Sequence, residues 1–150
     1  MASKVFINLP VTDVERSKAF YTSLGWTLNP SFSDEKAGSL VVSDSIYVMI
    51  LSHEHYRQFT DKQIADTSAT SSVINALSVD DPDEVDAFLD RALAAGAVEG
   101  KPQDYGFMRS RTFNDPDGHA WEVFWMDPIA SSGDWDAVQE KYPQAPPVPS

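Results

Sequence analysis

Glu122 lies in the run Ala120-Trp121-Glu122-Val123-Phe124-Trp125, a lone carboxylate among large apolar groups. If its face of a strand is enclosed, desolvation would raise its pKa and suit it to general-base work. If an arginine pairs with it across a sheet, the pairing would favour ionisation instead, and Arg109 and Arg111 are the two within reach. Alternation places both arginines on one face of a strand, with Ser110 on the other. Such a pair either grips a ligand carboxylate or phosphate by forked hydrogen bonds or balances charge on an acidic surface. His53 and His55 share the i, i+2 spacing of a strand metal pair, although after a strand end exposed imidazoles are the simpler reading. His119 falls in a tight turn, where a solvated ring is the default. No Ser-His-Asp order and no glycine-rich phosphate loop is present.

Composition narrows the chemistry further. With no cysteine in 150 residues there is no disulfide framework, thiolate nucleophile or thiolate metal site. A formal charge of -12 repels phosphate backbones and anionic lipid, so no nucleic-acid or membrane partner is expected. No run reaches the roughly 18 apolar residues of a membrane span, and no basic segment followed by an apolar core opens the chain. The expected location is cytoplasmic.

The elements that must position these residues occur twice. Strand-like Val5 to Leu9 leads to Asp13 and a helical stretch Glu15 to Tyr21 that stops at Gly25. Strand-like Val73 to Val79 leads to Asp81 and Glu84 to Leu89, stopping at Gly96. In each copy Asp stands at the helix N-cap, an aromatic follows seven residues on (Phe20, Phe88), and glycine closes the helix. One strand-helix unit cannot bury its own apolar face, so the duplication implies two halves of one domain. Trp26-Thr27-Leu28 adds a short strand. Ser39 to Ser43 and Ile46 to Leu51 flank the polar pair Asp44-Ser45 as a hairpin. In the second half a segment near Val98, then Phe107 to Phe113, and the Asp115-Pro116-Asp117-Gly118 turn precede Ala120 to Trp125. Each half therefore reads βαβββ: modules at about 4-52 and 72-127 joined by a polar linker, 53-71, with room for one short helix. Beyond residue 127 a tail, 128-150, holds Trp135, a short helix near Asp136 to Lys141 and Pro-rich Pro143 to Pro149, whose end is expected to be mobile.

The repeated βαβββ unit, with Asp13, Phe20-Tyr21 and Leu24-Gly25 in one half and Asp115 to Glu122 in the other, resembles the vicinal oxygen chelate superfamily of glyoxalases, bleomycin-resistance proteins and extradiol dioxygenases. The resemblance covers about residues 4 to 127. It implies an α+β fold in which two βαβββ modules form one open, cupped mixed sheet. In metal-using members, side chains on the first and last strand of each module hold a divalent ion. Carried over by position, the first-strand sites fall on Phe6 and Ile74, seven residues ahead of Asp13 and Asp81, and the last-strand sites on Met49 and Glu122. Only Glu122 offers a hard oxygen donor. A one-residue slip would reach Asn75 but turns it to the opposite face. No metal is therefore expected, with Glu122 the ligand if one binds.

The leading expectation is a small-molecule-binding protein of the glyoxalase and bleomycin-resistance type that works without metal and sequesters an apolar or aromatic ligand. The alternative is a divalent-metal lyase, isomerase or dioxygenase of the same superfamily. Asn8, Tyr47, Met49, Tyr105, Arg109, Arg111 and Phe124 are the candidate ligand contacts, and Glu122 the candidate catalytic group. Tyr105 can close over a cleft as a loop aromatic or pack at an edge. Trp26, Trp121 and Trp125 add apolar bulk for core, pocket or the interface of an expected homodimer. Phe20 and Tyr21 read as core.

Overall fold

The computed structural model describes residues 2-145 and resolves them into two compact units, one of residues 2-72 with 115-119, the other of 73-114 with 120-145. The Pro-rich end, Pro146 to Pro149, lies outside the described residues. The α+β class expected from the sequence is observed, with a mixed sheet in each unit.

In the first unit, β1 (Val5–Val11) enters α1 (Val14–Ser23) through Asp13, whose side chain accepts from the Arg16 N–H at 3.0 Å. This bond satisfies one of the amide donors that a helix start leaves unpaired. The helix ends at Gly25, whose φ of 98° is the left-handed conformation that glycine tolerates. β2 (Thr27–Leu28), β3 (Ala37–Val41) and β4 (Ile46–Ser52) complete the order β1-β4-β3-β2, in which β1 and β4 run parallel and the others antiparallel. Leu9, Val11, Leu40, Val48 and Ile50 are buried on the helix side with Phe20, Tyr21 and Leu24 of the α1 segment. Each such side chain contributes about 1.5–3 kcal/mol of burial. Phe20 and Tyr21 are core residues, as their spacing suggests.

After β4, the linker forms α2 (His53–Tyr56), a single turn capped by Ser52. The second unit repeats the plan. β5 (Ile74–Ser78) enters α3 (Pro82–Ala94) through Asp81, which accepts from the Asp83 N–H at 2.7 Å, and Gly96 at φ 106° follows the helix. β6 (Val98–Glu99), β7 (Gln103–Asp104), β8 (Met108–Asn114) and β9 (Ala120–Met126) give the order β5-β9-β8-β6, with β7 also on β8. β5 and β9 are parallel, as β1 and β4 are. Val85, Phe88, Leu89 and Ala92 of α3 bury against Phe113, Trp121 and Val123.

Residues after β9 form α4 (Pro128–Ser131) and α5 (Trp135–Lys141). Ala130 and Val138 pack with Phe107 in a small apolar cluster. Asp127 caps α4, and its Oδ2 accepts from Lys141 Nζ at 2.7 Å and the Tyr142 hydroxyl at 2.6 Å. The segment read from sequence as a tail is thus a folded part of the second unit as far as Ala145. No helix among the described residues is long and apolar enough to cross a membrane.

Candidate ligand-binding faces

Strand alternation gives the first unit's sheet a second face, turned from α1. Phe6, Asn8 and Pro10 of β1 lie on it, in register with Tyr47, Met49 and Leu51 of β4. The Phe6 and Tyr47 rings stack with centroids 4.7 Å apart and planes 11° apart. Phe6 is nonetheless 55% exposed, a large apolar group facing outward. Lys4 Nζ sits 5.6 Å from the Tyr47 ring centre, and the Tyr47 hydroxyl donates to the Asp44 carbonyl. Asn8 Nδ2 donates to the Phe6 carbonyl at 3.3 Å, which leaves the amide oxygen outward as an acceptor.

Further along this face a cavity of about 400 Å³ is lined by Asn8, Leu51, Tyr56, Phe59 and Thr60. Asn8 and the Tyr47–Met49 strand were candidates from the sequence. Tyr56 and Phe59 were not, because the linker reads as polar; their i, i+3 spacing is the signal that could have marked them. His53 and His55 stand on α2 rather than at a strand end. At i, i+2 on a helix they do not share a face, and His55 instead sets its edge on Phe59 at 5.3 Å.

In the second unit the corresponding sheet face carries Glu122 and Phe124. Glu122 accepts from Ser110 Oγ at 2.8 Å across the β8–β9 ladder. Arg109 and Arg111 project to the α3 side. Both donate to Asp86 Oδ1 at 2.9 Å, and Arg111 also pairs with Glu99 at 2.8 Å. Burial pulls the Arg111 pKa down, but its bonds to Glu99 and Asp86 outweigh this and hold it above the ordinary value. Alternation therefore separates the arginines from Glu122, and their charges are met by carboxylates of the same unit. Tyr105 packs beside Phe107, ring centres 6.0 Å apart, at the cluster that seats α4 and α5.

His119 corrects the expectation of a solvated ring. It is 7% exposed, and Nε2 donates to the Pro10 carbonyl at 2.7 Å. The Asp115–Gly118 turn folds the chain back onto β1, so the ring is covered rather than left in water.

The fold-family positions for a divalent ion can be tested on side-chain chemistry. Phe6 and Ile74 have no donor atom, Met49 presents a thioether, and Glu122 alone supplies oxygen, with one oxygen engaged by Ser110. A hard cation requires several oxygen or imidazole ligands. This donor set does not fit one. Among the described residues no group of three or more His, Asp or Glu side chains is placed to hold a metal.

Comparison with known proteins agrees with the fold. Residues 5–123 match the family model of the Glyoxalase/Bleomycin resistance protein/Dioxygenase superfamily. A glyoxalase-related enzyme from Fulvimarina pelagi superposes with a TM-score of 0.71 at 21% identity, covering 86% of this chain and 91% of that one. A glyoxalase/bleomycin resistance protein/dioxygenase family enzyme from Burkholderia phytofirmans PsJN gives 0.68 at 20% identity, covering 83% and 99%. The fosfomycin resistance protein FosX from Mesorhizobium loti gives 0.63 at 18% identity, covering 88% and 98%. At these identities the likeness is one of fold. No curated protein matches the chain. By its family match, its duplicated βαβββ units and the parallel pairing of first and last strand in each, the chain belongs to the Glyoxalase/Bleomycin resistance protein/Dioxygenase superfamily.

Proposed function

We propose that this protein binds a small apolar or aromatic molecule without a metal ion and holds it chemically unchanged. The carrying observation is the outward stack of Phe6 on Tyr47, on the same sheet face as the 400 Å³ cavity of Asn8, Leu51, Tyr56, Phe59 and Thr60. Small-molecule sites are mostly apolar and aromatic with a few placed polar groups. Here Asn8 and Thr60 are the polar groups, and Met49, adaptable in shape, lies between the stack and the cavity. In the second unit, Glu122 and Phe124 extend the candidate set. The same reading includes self-association as a homodimer, for which exposed Val73, Ile74 and Val98 offer apolar surface.

The test is titration with the neutral fluorescent probe N-phenyl-1-naphthylamine, followed by chromatography of the released probe. Saturable binding that weakens about tenfold in Tyr47→Ala, with the probe recovered intact, supports the reading; a tenfold change corresponds to about 1.4 kcal/mol, the scale of one aromatic contact. Non-saturating binding, or identical binding by the variant, would reject it.

A further inference from the structure

The first unit contains a second, larger cavity of about 530 Å³ that shares no lining residue with the one above. Arg16 of α1, His53 and Arg57 of the α2 segment, and Thr67, Ser68 and Asp117 all face it. In a chain of net charge -12, a cavity whose two guanidinium groups balance its two carboxylates, Asp66 and Asp117, with an imidazole beside them, is less acidic than the overall composition.

The walls are built in place. Thr67 Oγ1 donates to the Asp117 carbonyl at 2.6 Å, and a Cβ at Gly118 would stand 2.4 Å from the Thr67 carbonyl oxygen, so the loop lies hard against the turn. Thr12 donates to Asp117 Oδ1 through its N–H at 3.0 Å and its hydroxyl at 2.7 Å. Arg16 is steadied by Thr12 Oγ1 at 3.0 Å and forms an ion pair with Asp117, Nη2 to Oδ2 at 3.6 Å, although among the described residues that buried oxygen accepts no hydrogen bond. Arg57 pairs with no carboxylate among the described residues. Asp66, the other acid at the rim, turns Oδ1 back onto the Ser68 N–H and hydroxyl.

Set against the unpartnered Asp117 Oδ2, the unspent donors are the fork of Arg57, most of that of Arg16, and His53. Five N–H donors in a planar fork match an oxyanion bidentately. The volume exceeds what one such group fills, leaving room for a polar organic remainder beside Thr12 and Gln63. We infer that this cavity is a binding site for a small organic phosphate, its oxyanion held between Arg57 and Arg16 with His53 alongside. The protein's net negative field opposes long-range attraction, so short directed hydrogen bonds carry the recognition.

The test is a pair of ¹H–¹⁵N NMR titrations, with inorganic phosphate and with glycerol 2-phosphate, against glycerol and sodium chloride at matched ionic strength. The expected result is saturable shifts centred on Arg16, His53, Arg57, Thr67 and Ser68, with the ester binding more tightly than inorganic phosphate. Arg57→Gln should weaken binding about tenfold. Because Arg57 makes no ion pair among the described residues, that variant should keep its Tm within about 2 °C, and Lys4→Gln should bind like the wild type. Absence of saturation, shifts spread over other basic residues, or unchanged binding by Arg57→Gln would overturn the site. Ester binding no tighter than that of inorganic phosphate would overturn the organic-phosphate assignment. The neutral-probe titration at Tyr47 reads a different cavity, so either proposal can fail alone.

Discussion

The Tyr21 hydroxyl donates to Asp115 Oδ2 at 2.5 Å, joining α1 to the β8–β9 turn inside the first unit across 94 residues of sequence. Neither residue is more than 4% exposed. Asp115 Oδ1 also accepts from the Asp117 N–H at 2.9 Å and the His119 N–H at 2.8 Å. Burial nevertheless dominates and pushes the Asp115 carboxyl above its ordinary range, against the lowering effects of His119 and Tyr21.

Tyr21→Phe should therefore cost about 1–3 kcal/mol at neutral pH, because it strips a donor from a buried carboxylate. A raised folded-state pKa means that the native protein binds this proton more readily than the unfolded chain. The contribution is fully present below the unfolded pKa of 3.8 and fades as pH rises through the folded value. The penalty of Tyr21→Phe should accordingly shrink as pH is lowered and Asp115 takes up its proton. Urea unfolding of both proteins over a series of pH values from 7 downward checks this, and a pH-independent penalty would contradict it.

Asp127 has the opposite sign. Its bond with Lys141, then those with Tyr142 and the Ile129 N–H, lower its pKa to about 2. The resulting stability is fully present above the unfolded value of 3.8 and is lost as pH falls through about 2. Acid should loosen α4 and α5, which Asp127 ties down. Near-ultraviolet circular dichroism of Trp135 during acid titration should show this step, and Asp127→Asn should show the loosened signal already at neutral pH.

Gly118→Ala and Gly25→Ala separate backbone strain from steric clash. Both glycines have positive φ, 89° and 98°, but a Cβ at Gly118 meets the Thr67 backbone at 2.4 Å whereas one at Gly25 meets nothing within 4 Å. Gly25→Ala should cost about 1–2 kcal/mol of strain alone. Gly118→Ala should cost more, by at least about 1 kcal/mol, since backbone must move. Equal losses in chemical denaturation would remove the packing argument.

Elemental analysis and thermal melts with Mn, Fe, Ni, Zn and Mg salts address the donor set of Phe6, Met49, Ile74 and Glu122. The expectation is substoichiometric metal and no saturable rise in Tm. One metal per chain, with a stabilisation abolished by Glu122→Gln, would redirect the protein to the metal-dependent branch of its superfamily.

Much of the architecture was legible because it depends on local rules written twice. Asp13 and Asp81 accept from amides two or three residues on, Gly25 and Gly96 take positive φ, and Phe20 and Phe88 fall on buried helix faces. Each depends on near neighbours in sequence, so the chain order alone carries the signal. Glu122 and the arginines show the boundary. Alternation put Arg109 and Arg111 on one strand face, but sequence could not say that Asp86 of α3 and Glu99 of β6 would meet them there.

By itself, then, the sequence determined the duplicated α+β plan, the strand faces and the lack of hard ligands at three of the four family positions. Tertiary structure decided what each face meets. It covered His119 with β1, spent the two arginines on acids of their own unit, and raised Tyr56 and Phe59 from a polar linker into a cavity wall. It also gathered Arg16, His53, Arg57 and Asp117 around one cavity. The physical reason is distance along the chain. Caps, turns and alternation are set within a few residues, whereas burial and ion pairing depend on which remote segments the folded backbone brings together.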